Sequence, residues 1–398
     1  MKLAWPDGHQ FAFTIVDDTD RATVSNVKPI YDLLAGLGMR TTKTAWMFPG
    51  QGRAVCGGST CEEREYRDWL LGLQRQGFEV GFHNAAPCTS TREITALGLA
   101  KFQETFGPTE VLFCNHTCCR ENIYWGVNRL SGWRRKVYNW VTLGKRRDIS
   151  RGHFEGDPLF WGDLCQQQVR YVRNFVFDEL DGLSICPEQP YHDPAKPFVN
   201  FWFTSADGNN LNCFLKNFTE DKLKLLQETG GLCIAYVHFA YGFMQNGIVN
   251  TEFQKRMEFL SSLNGWFAPA SQVLDHLRHG AGLERPGRSR RRGEVLRRAG
   301  GAVEFDVGRS RAVHHSVVRA ESALPGPSRR ELPRRFGAPR RYLRRQRIVR
   351  RVQDARLVLR NRRSRWRLRA FDPLHDERAS DGRDRQPAVR RAGGNHPW

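Results

Sequence analysis

The chain has 398 residues and a formal net charge of +20. That charge sits entirely in the last third. Residues 1–280 carry 29 Lys and Arg against 30 Asp and Glu, whereas residues 281–398 carry 33 arginines, no lysine, and 12 acidic residues. The first 280 residues are therefore near neutral and excluded as a polybasic nucleic-acid binder. No apolar run approaches the length of a membrane span and no apolar h-region follows Met1, so a soluble cytoplasmic chain with ten reduced cysteines and no membrane partner is expected.

The first 280 residues suit a single α/β domain. Phe11–Val16 reads as a buried strand ending at two adjacent carboxylates, Asp17 and Asp18. Asp20–Leu37 carries Val27, Ile30, Tyr31, Leu34 and Leu37 at helical spacing, with Gly38 as a stop. Thr41–Met47 is a predicted strand, Glu62–Gln76 a helix with a Tyr66, Trp69, Leu70, Leu73 stripe, and Phe78–His83 a second clear strand. Ser90-Thr-Arg-Glu93 has capping-box spacing and opens a helix to about Phe106. Val111–Cys114 is a short strand, and the Trp-, Tyr- and Arg-rich stretch from Arg120 to Glu179 reads as helices and long loops. Ser184–Cys186 and Phe198–Thr204 are strand candidates, Thr219–Glu228 a helix, Leu232–His238 a strong strand, and Thr251–Leu263 and Ala270–Leu277 closing helices. Repeated βα units favour a parallel sheet or barrel.

Polar residues collect at the ends of these strands: Asp17 and Asp18, His83, Asn115 and His116, Asp207, and His238. One histidine at a strand end is ordinarily a hydrogen-bonded structural residue, and an Asp-Asp pair is ordinarily an acidic turn. Five such ends carrying Asp or His are a different matter, because parallel strands deliver them to one rim. Asp and His together suit a divalent metal, zinc above all. A free Asp then serves as base towards water and a His as acid towards a leaving group.

The order of these residues resembles the polysaccharide deacetylase family. Thr14-Ile-Val-Asp17-Asp18-Thr19 is similar to that family's Thr-Phe-Asp-Asp-Gly motif, Gly77-Phe-Glu-Val-Gly-Phe-His83 to its Gly-His-Glu-Ile-Gly-Asn-His segment, and Ala235-Tyr-Val-His238 to its Leu-x-His motif. Trp266–Leu277 looks like its closing helix, so the resemblance spans about residues 8–278. It implies an irregular (β/α) barrel and a metal-dependent hydrolase that removes an N-acetyl group, an amide, from a sugar or glycan conjugate. It further implies Asp17 as general base, Asp18 and His83 as metal ligands and His238 as general acid.

Two departures stand out. The second metal histidine should lie four residues after His83, where the chain has Pro87. The Arg-rich third motif is replaced by Phe113–Gly126, which contains Asn115, His116 and Arg120. His116 stands where that motif begins and is the substitute ligand, with Asn115, Arg120 and Asp207 as further site candidates. The alternative is a catalytically impaired, glycan-binding barrel of the same fold. Cys56, Cys61, Cys114, Cys118 and Cys119 with His116 also admit a structural zinc reading, though their spacings are loose and buried thiols are the default.

Residues 280–398 form a separate Arg-rich region, expected to be disordered because few apolar residues offset chain entropy. Three readings stay open. An arginine-only basic set is what GC-rich DNA read out of frame encodes, whereas a basic arm gripping nucleic-acid phosphates ordinarily mixes Lys with Arg; a folded second domain is the third. Nucleic acid is a partner only through this segment.

Overall fold

The computed structural model describes residues 3–50, 56–117, 119–130, 150–283, 357–361 and 364–368. They fall in two units. In the first, seven parallel strands close on themselves: β1 (Phe11–Asp17), β2 (Thr42–Ala45), β3 (Glu79–Phe82), β4 (Val111–Phe113), β5 (Val169–Phe177), β6 (Phe201–Asp207) and β7 (Leu232–Val237), with β7 pairing back onto β1. Helices α1 (Val24–Gly36), α2 (Arg64–Arg75), α3 (Arg92–Phe106), α4 (Gly162–Gln168), α5 (Gly182–Ile185), α6 (Leu211–Asn217), α7 (Glu220–Thr229), α8 (Thr251–Ser261) and α9 (Ala270–Gly280) complete the α/β barrel. Two short strands, β8 (Met244–Gln245) and β9 (Ile248–Val249), form a hairpin, and β10 (Gly265–Trp266) pairs with the start of β1. The second unit holds β11 (Leu357–Asn361) and β12 (Ser364–Leu368), paired antiparallel. Apart from those strands, the Arg-rich region expected to be disordered lies outside the described residues.

Strand periodicity sorts the barrel into two cores. Phe11, Phe13 and Ile15 of β1 pack with Ile30, Tyr31 and Leu34 of α1, on the outer, helix-facing side. Ala12 and Val16 pack with Leu112, Cys114, Tyr171, Phe203 and Ile234 in the interior. Side chains of a strand alternate between faces, so each strand ends with one residue committed inward and the next committed outward. Val273, Leu274 and Leu277 of α9 join the inner cluster, and Ala270 N donates to Thr42 Oγ1 at the start of β2 (2.9 Å). The closing helix thus seals the N-terminal mouth and leaves the C-terminal mouth for chemistry.

Three elements differ from the sequence reading. The first helix starts at Val24, not Asp20, because Thr23 and Asn26 form a reciprocal capping box. Ser184–Cys186 lies at the end of a helical turn rather than in a strand, since the Asp181 carboxylate accepts from Leu183 N (3.0 Å). The stretch read as helices and loops contains β5, a nine-residue strand.

Candidate active site

A pocket at the C-terminal ends of the strands is lined by Asp18, Asp20, His83, His116, Arg173, Tyr236 and His238, among others. Asp18 continues the inward register of Ala12, Thr14 and Val16. Arg173 lies on β5 in register with the inward Tyr171, and Tyr236 and His238 continue the register of Leu232 and Ile234.

Asp20, which the sequence pattern places at a helix start, is the centre of the cluster. Its Oδ1 lies 3.3 Å from His83 Nε2, and its Oδ2 lies 3.4 Å from His116 Nε2 and 3.6 Å from His238 Nε2. Arg21 follows in the left-handed region (φ 55°), which turns the chain so that Asp20 comes back over the pocket. Burial works to raise the Asp20 carboxyl, but His116 and His238 outweigh it and hold the group well below the ordinary carboxylate range.

Asp18 is the second pocket carboxylate. Arg173 grips it with both guanidinium arms, Nη1 donating to Oδ1 at 2.9 Å and Nη2 to Oδ2. Burial would raise its pKa, yet the charges of Arg173 and then His83 keep it lowered, so Asp18 is ionised. His83 Nε2 is 3.8 Å from Asp18 Oδ2. Burial lowers the His83 pKa against the pull of Asp18, whereas at His116 the charge of Asp20 overcomes burial and raises it.

Asp17, expected as the base, sits elsewhere. It falls on the outward face of β1, where Lys43 Nζ meets Oδ2 at 3.0 Å, the Tyr31 hydroxyl donates to Oδ2 at 3.0 Å and Phe239 N donates to Oδ1 at 2.9 Å. Asp17 and Lys43 are cross-strand partners in the β1–β2 register. Asp17 is therefore a buried anchor under the residue that follows His238, not a pocket wall. The expected convergence of Asp18 with His83 and His116 as ligands is likewise altered: Asp18 is committed to Arg173, and Asp20 takes the place beside the histidines.

The remaining candidates separate. Asn115 lines the pocket and holds its own loop, accepting from Ile123 N (2.8 Å) and donating to Ile123 O (3.2 Å). Asp207 is buried at the end of β6, where it accepts from Asn209 N (3.1 Å). Arg120 is exposed, with its backbone N on Thr89 Oγ1. Pro87 is buried and Cys118 lies outside the described residues. Cys114 belongs to the apolar interior, which removes it from the structural-zinc set.

No protein-family profile matches the chain, and no curated protein does. Solved structures do. The chain is similar to a structure described as a polysaccharide deacetylase from Pseudomonas aeruginosa PAO1 at 12% identity and a TM-score of 0.42, over 70% of this chain and 95% of that one. It is similar to another so described, from Mycobacterium smegmatis, at 12% identity and 0.39, over 71% and 95%. A third, an uncharacterised protein from Parabacteroides distasonis, matches at 11% identity and 0.23, over 64% and 99%. What the pocket can do follows from its own side chains.

Whether those side chains fit a cation is testable on the structure. His83 is buried and its Nδ1 makes no hydrogen bond, while its Nε2 and Asp20 Oδ1 meet only each other, at 3.3 Å. Buried polar groups without partners are rare and point to a missing ligand or ion. Asp20, Cys56 and His116 also offer ligand atoms that all lie within 4.8 Å of one another, the group of this kind found among the described residues. A borderline-soft divalent cation fits this donor set.

Behind the pocket, Asn84 adopts a left-handed conformation (φ 58°) directly after His83. Its Oδ1 accepts from His116 N (2.8 Å) and its Nδ2 donates to Glu121 Oε1 (2.8 Å), tying the two histidine loops together. Burial pushes the Glu121 carboxyl from an ordinary 4.5 up to about 7. A raised carboxyl pKa favours the folded state's neutral form, so the penalty is absent below pH 4.5, grows as pH rises, and is complete above pH 7. It is then about 3 kcal/mol. Glu121→Gln should therefore stabilise the protein at pH 8 and leave stability unchanged near pH 4. Urea unfolding at the two pH values measures this, and equal differences at both would remove the buried-carboxyl account.

Proposed function

We propose that the chain is a metal-dependent hydrolase that removes an N-acetyl group from a sugar or glycan conjugate. The observation that carries this is the division of labour between two carboxylates in one pocket. Asp20 faces three imidazoles, and Asp18 is held ionised by Arg173 beside them. Asp20, His83 and His116 would hold the cation. When bound, a divalent cation polarises an amide carbonyl and acidifies water.

The chain's own residues supply the proton transfers. Asp18 accepts the proton of the attacking water, and Arg173 fixes the carboxylate's orientation. His238 gives a proton to the departing amine. Its Nδ1 is 3.1 Å from the Asn209 carbonyl oxygen, which holds one proton on Nδ1 and turns Nε2 towards the pocket. The proton given is therefore the Nε2 proton of the imidazolium form, which is left neutral with its Nδ1 proton in place. The Tyr236 hydroxyl lies 3.4 Å from that Nε2. The acetylated sugar is supported by the likeness of Thr14–Thr19, Gly77–His83 and Ala235–His238 to deacetylase motifs, with the base moved from Asp17 to Asp18 and the carboxylate ligand from Asp18 to Asp20.

Acetate release from N-acetylated sugar oligomers by the zinc-loaded full chain tests the reading. Asp20→Asn should remove most of the bound zinc and lower acetate release by about 10²-fold or more. Unchanged zinc stoichiometry in that variant would remove Asp20 as a ligand. Glycan binding without acetate release from the wild type would make the chain a binding barrel.

A further inference from the structure

The donor set around Asp20 contains a group that has no place in the Asp, His, His pattern, the thiol of Cys56. Cys56 Sγ is 3.1 Å from His116 Nε2 and 3.4 Å from Asp20 Oδ2, and the residue is buried. Its position is fixed by backbone, not by chance packing. Arg21 N donates to Gly57 O (2.6 Å) and Ser59 N donates to Ala22 O (2.7 Å), so residues 56–59 are stitched to the turn that carries Asp20. Gly58 (φ 145°) lies so close to that turn that a Cβ there would stand 3.1 Å from Thr19 O and 3.2 Å from Ala22 N. On the far side of His116, its Nδ1 is 3.4 Å from Cys119 Sγ, which leaves Nε2 for the Asp20–Cys56 side.

We propose that Cys56 is a thiolate ligand of the cation held by Asp20 and His116, the three residues offering ligand atoms within 4.8 Å of one another. The inference rests on the metal-dependent reading above and adds the ligand that sets the metal's identity. On binding, the Cys56 S–H bond breaks, its electron pair becomes the sulfur–metal bond and the proton leaves to solvent. One carboxylate and one thiolate together neutralise a divalent charge, which offsets the cost of burying the ion. A soft sulfur donor selects zinc against hard, oxygen-preferring cations such as manganese or magnesium.

Cobalt(II) loaded into the full-length protein reads this directly. The wild type should show visible d–d bands together with a near-ultraviolet thiolate-to-cobalt band. Cys56→Ser should keep the visible bands and lose the ultraviolet one, and Cys119→Ser should keep both. Zinc binding, followed by calorimetry in buffers of different ionisation heat, should weaken ~10-fold or more in Cys56→Ser, at least the scale of an outer-shell change. It should also release about one proton fewer per zinc. Visible bands without the ultraviolet band in the wild type would overturn Cys56 as a ligand and leave the hydrolase reading intact. So would loss of the band in Cys119→Ser with retention in Cys56→Ser. Failure of the wild type to bind either cobalt or zinc would overturn both.

Discussion

Asp18→Asn should lower turnover by about 10²–10⁴-fold while zinc remains bound, and Asp17→Asn should leave turnover within a few-fold of wild type. The first figure is the usual cost of losing a positioned general base. Both substitutions keep the shape of the side chain and remove one charge, so the contrast isolates position. Asp18 faces the pocket, ionised under Arg173. Asp17 points away, into a pocket of its own made by Lys43, Tyr31 and Phe239 N. Steady-state acetate release with zinc content measured on the same samples decides between them. A large loss in Asp17→Asn with Asp18→Asn unaffected would restore the family-pattern assignment of the base and contradict the strand register. Asp17→Asn should instead lower the melting temperature, because Lys43 is left without its countercharge.

That contrast marks what the sequence could and could not reveal. The barrel was legible because its strands are apolar runs closed by polar residues, and the repeated βα order permits few other arrangements. The histidines were legible for the same reason: His83 and His238 directly follow clear strands, and His116 follows the short strand at Val111–Phe113. Which of the two carboxylates faces the pocket was not legible, because side-chain parity decides it and motif spacing does not. Phe11, Phe13, Ile15 and Asp17 share one face, Ala12, Thr14, Val16 and Asp18 the other, and both faces of this strand are apolar. In a strand buried on both sides, hydrophobicity does not say which face is the interior. Arg173 was missed with its strand, since charges and amides punctuate Val169–Phe177 and its neutralising partner lies 155 residues away. Asp20 carries no local signal, and Cys56 carries only the loose Cys56–Cys61 spacing that admits a structural zinc reading. They meet because a left-handed Arg21 and a Gly58 that only glycine can be allow two loops to touch.

Lys43→Met should destabilise the protein by about 3–5 kcal/mol at neutral pH, the usual cost of leaving a buried charge without its partner. Lys43 is fully buried, and its ammonium lies 3.0 Å from Asp17 Oδ2 and 3.4 Å from the Asp18 carbonyl oxygen. Burial already pushes the Asp17 carboxyl above its ordinary value, with Lys43 the main opposing influence. Without Lys43 the folded-state pKa rises further. In the window above the unfolded carboxylate value and below that raised value, the folded state binds the extra proton, so stability falls as pH rises. The defect should therefore be smallest in acid, where Asp17 is protonated in both states, and largest above neutrality. Replacing both partners, Asp17→Leu with Lys43→Met, should recover much of the loss, because an apolar pair carries no desolvation cost. Guanidinium unfolding of the single and double variants from pH 5 to pH 8 gives the coupling. A single variant whose deficit does not grow with pH would show that Lys43 stabilises the strand pair by packing alone, and Asp17 would then be neutral in the folded protein.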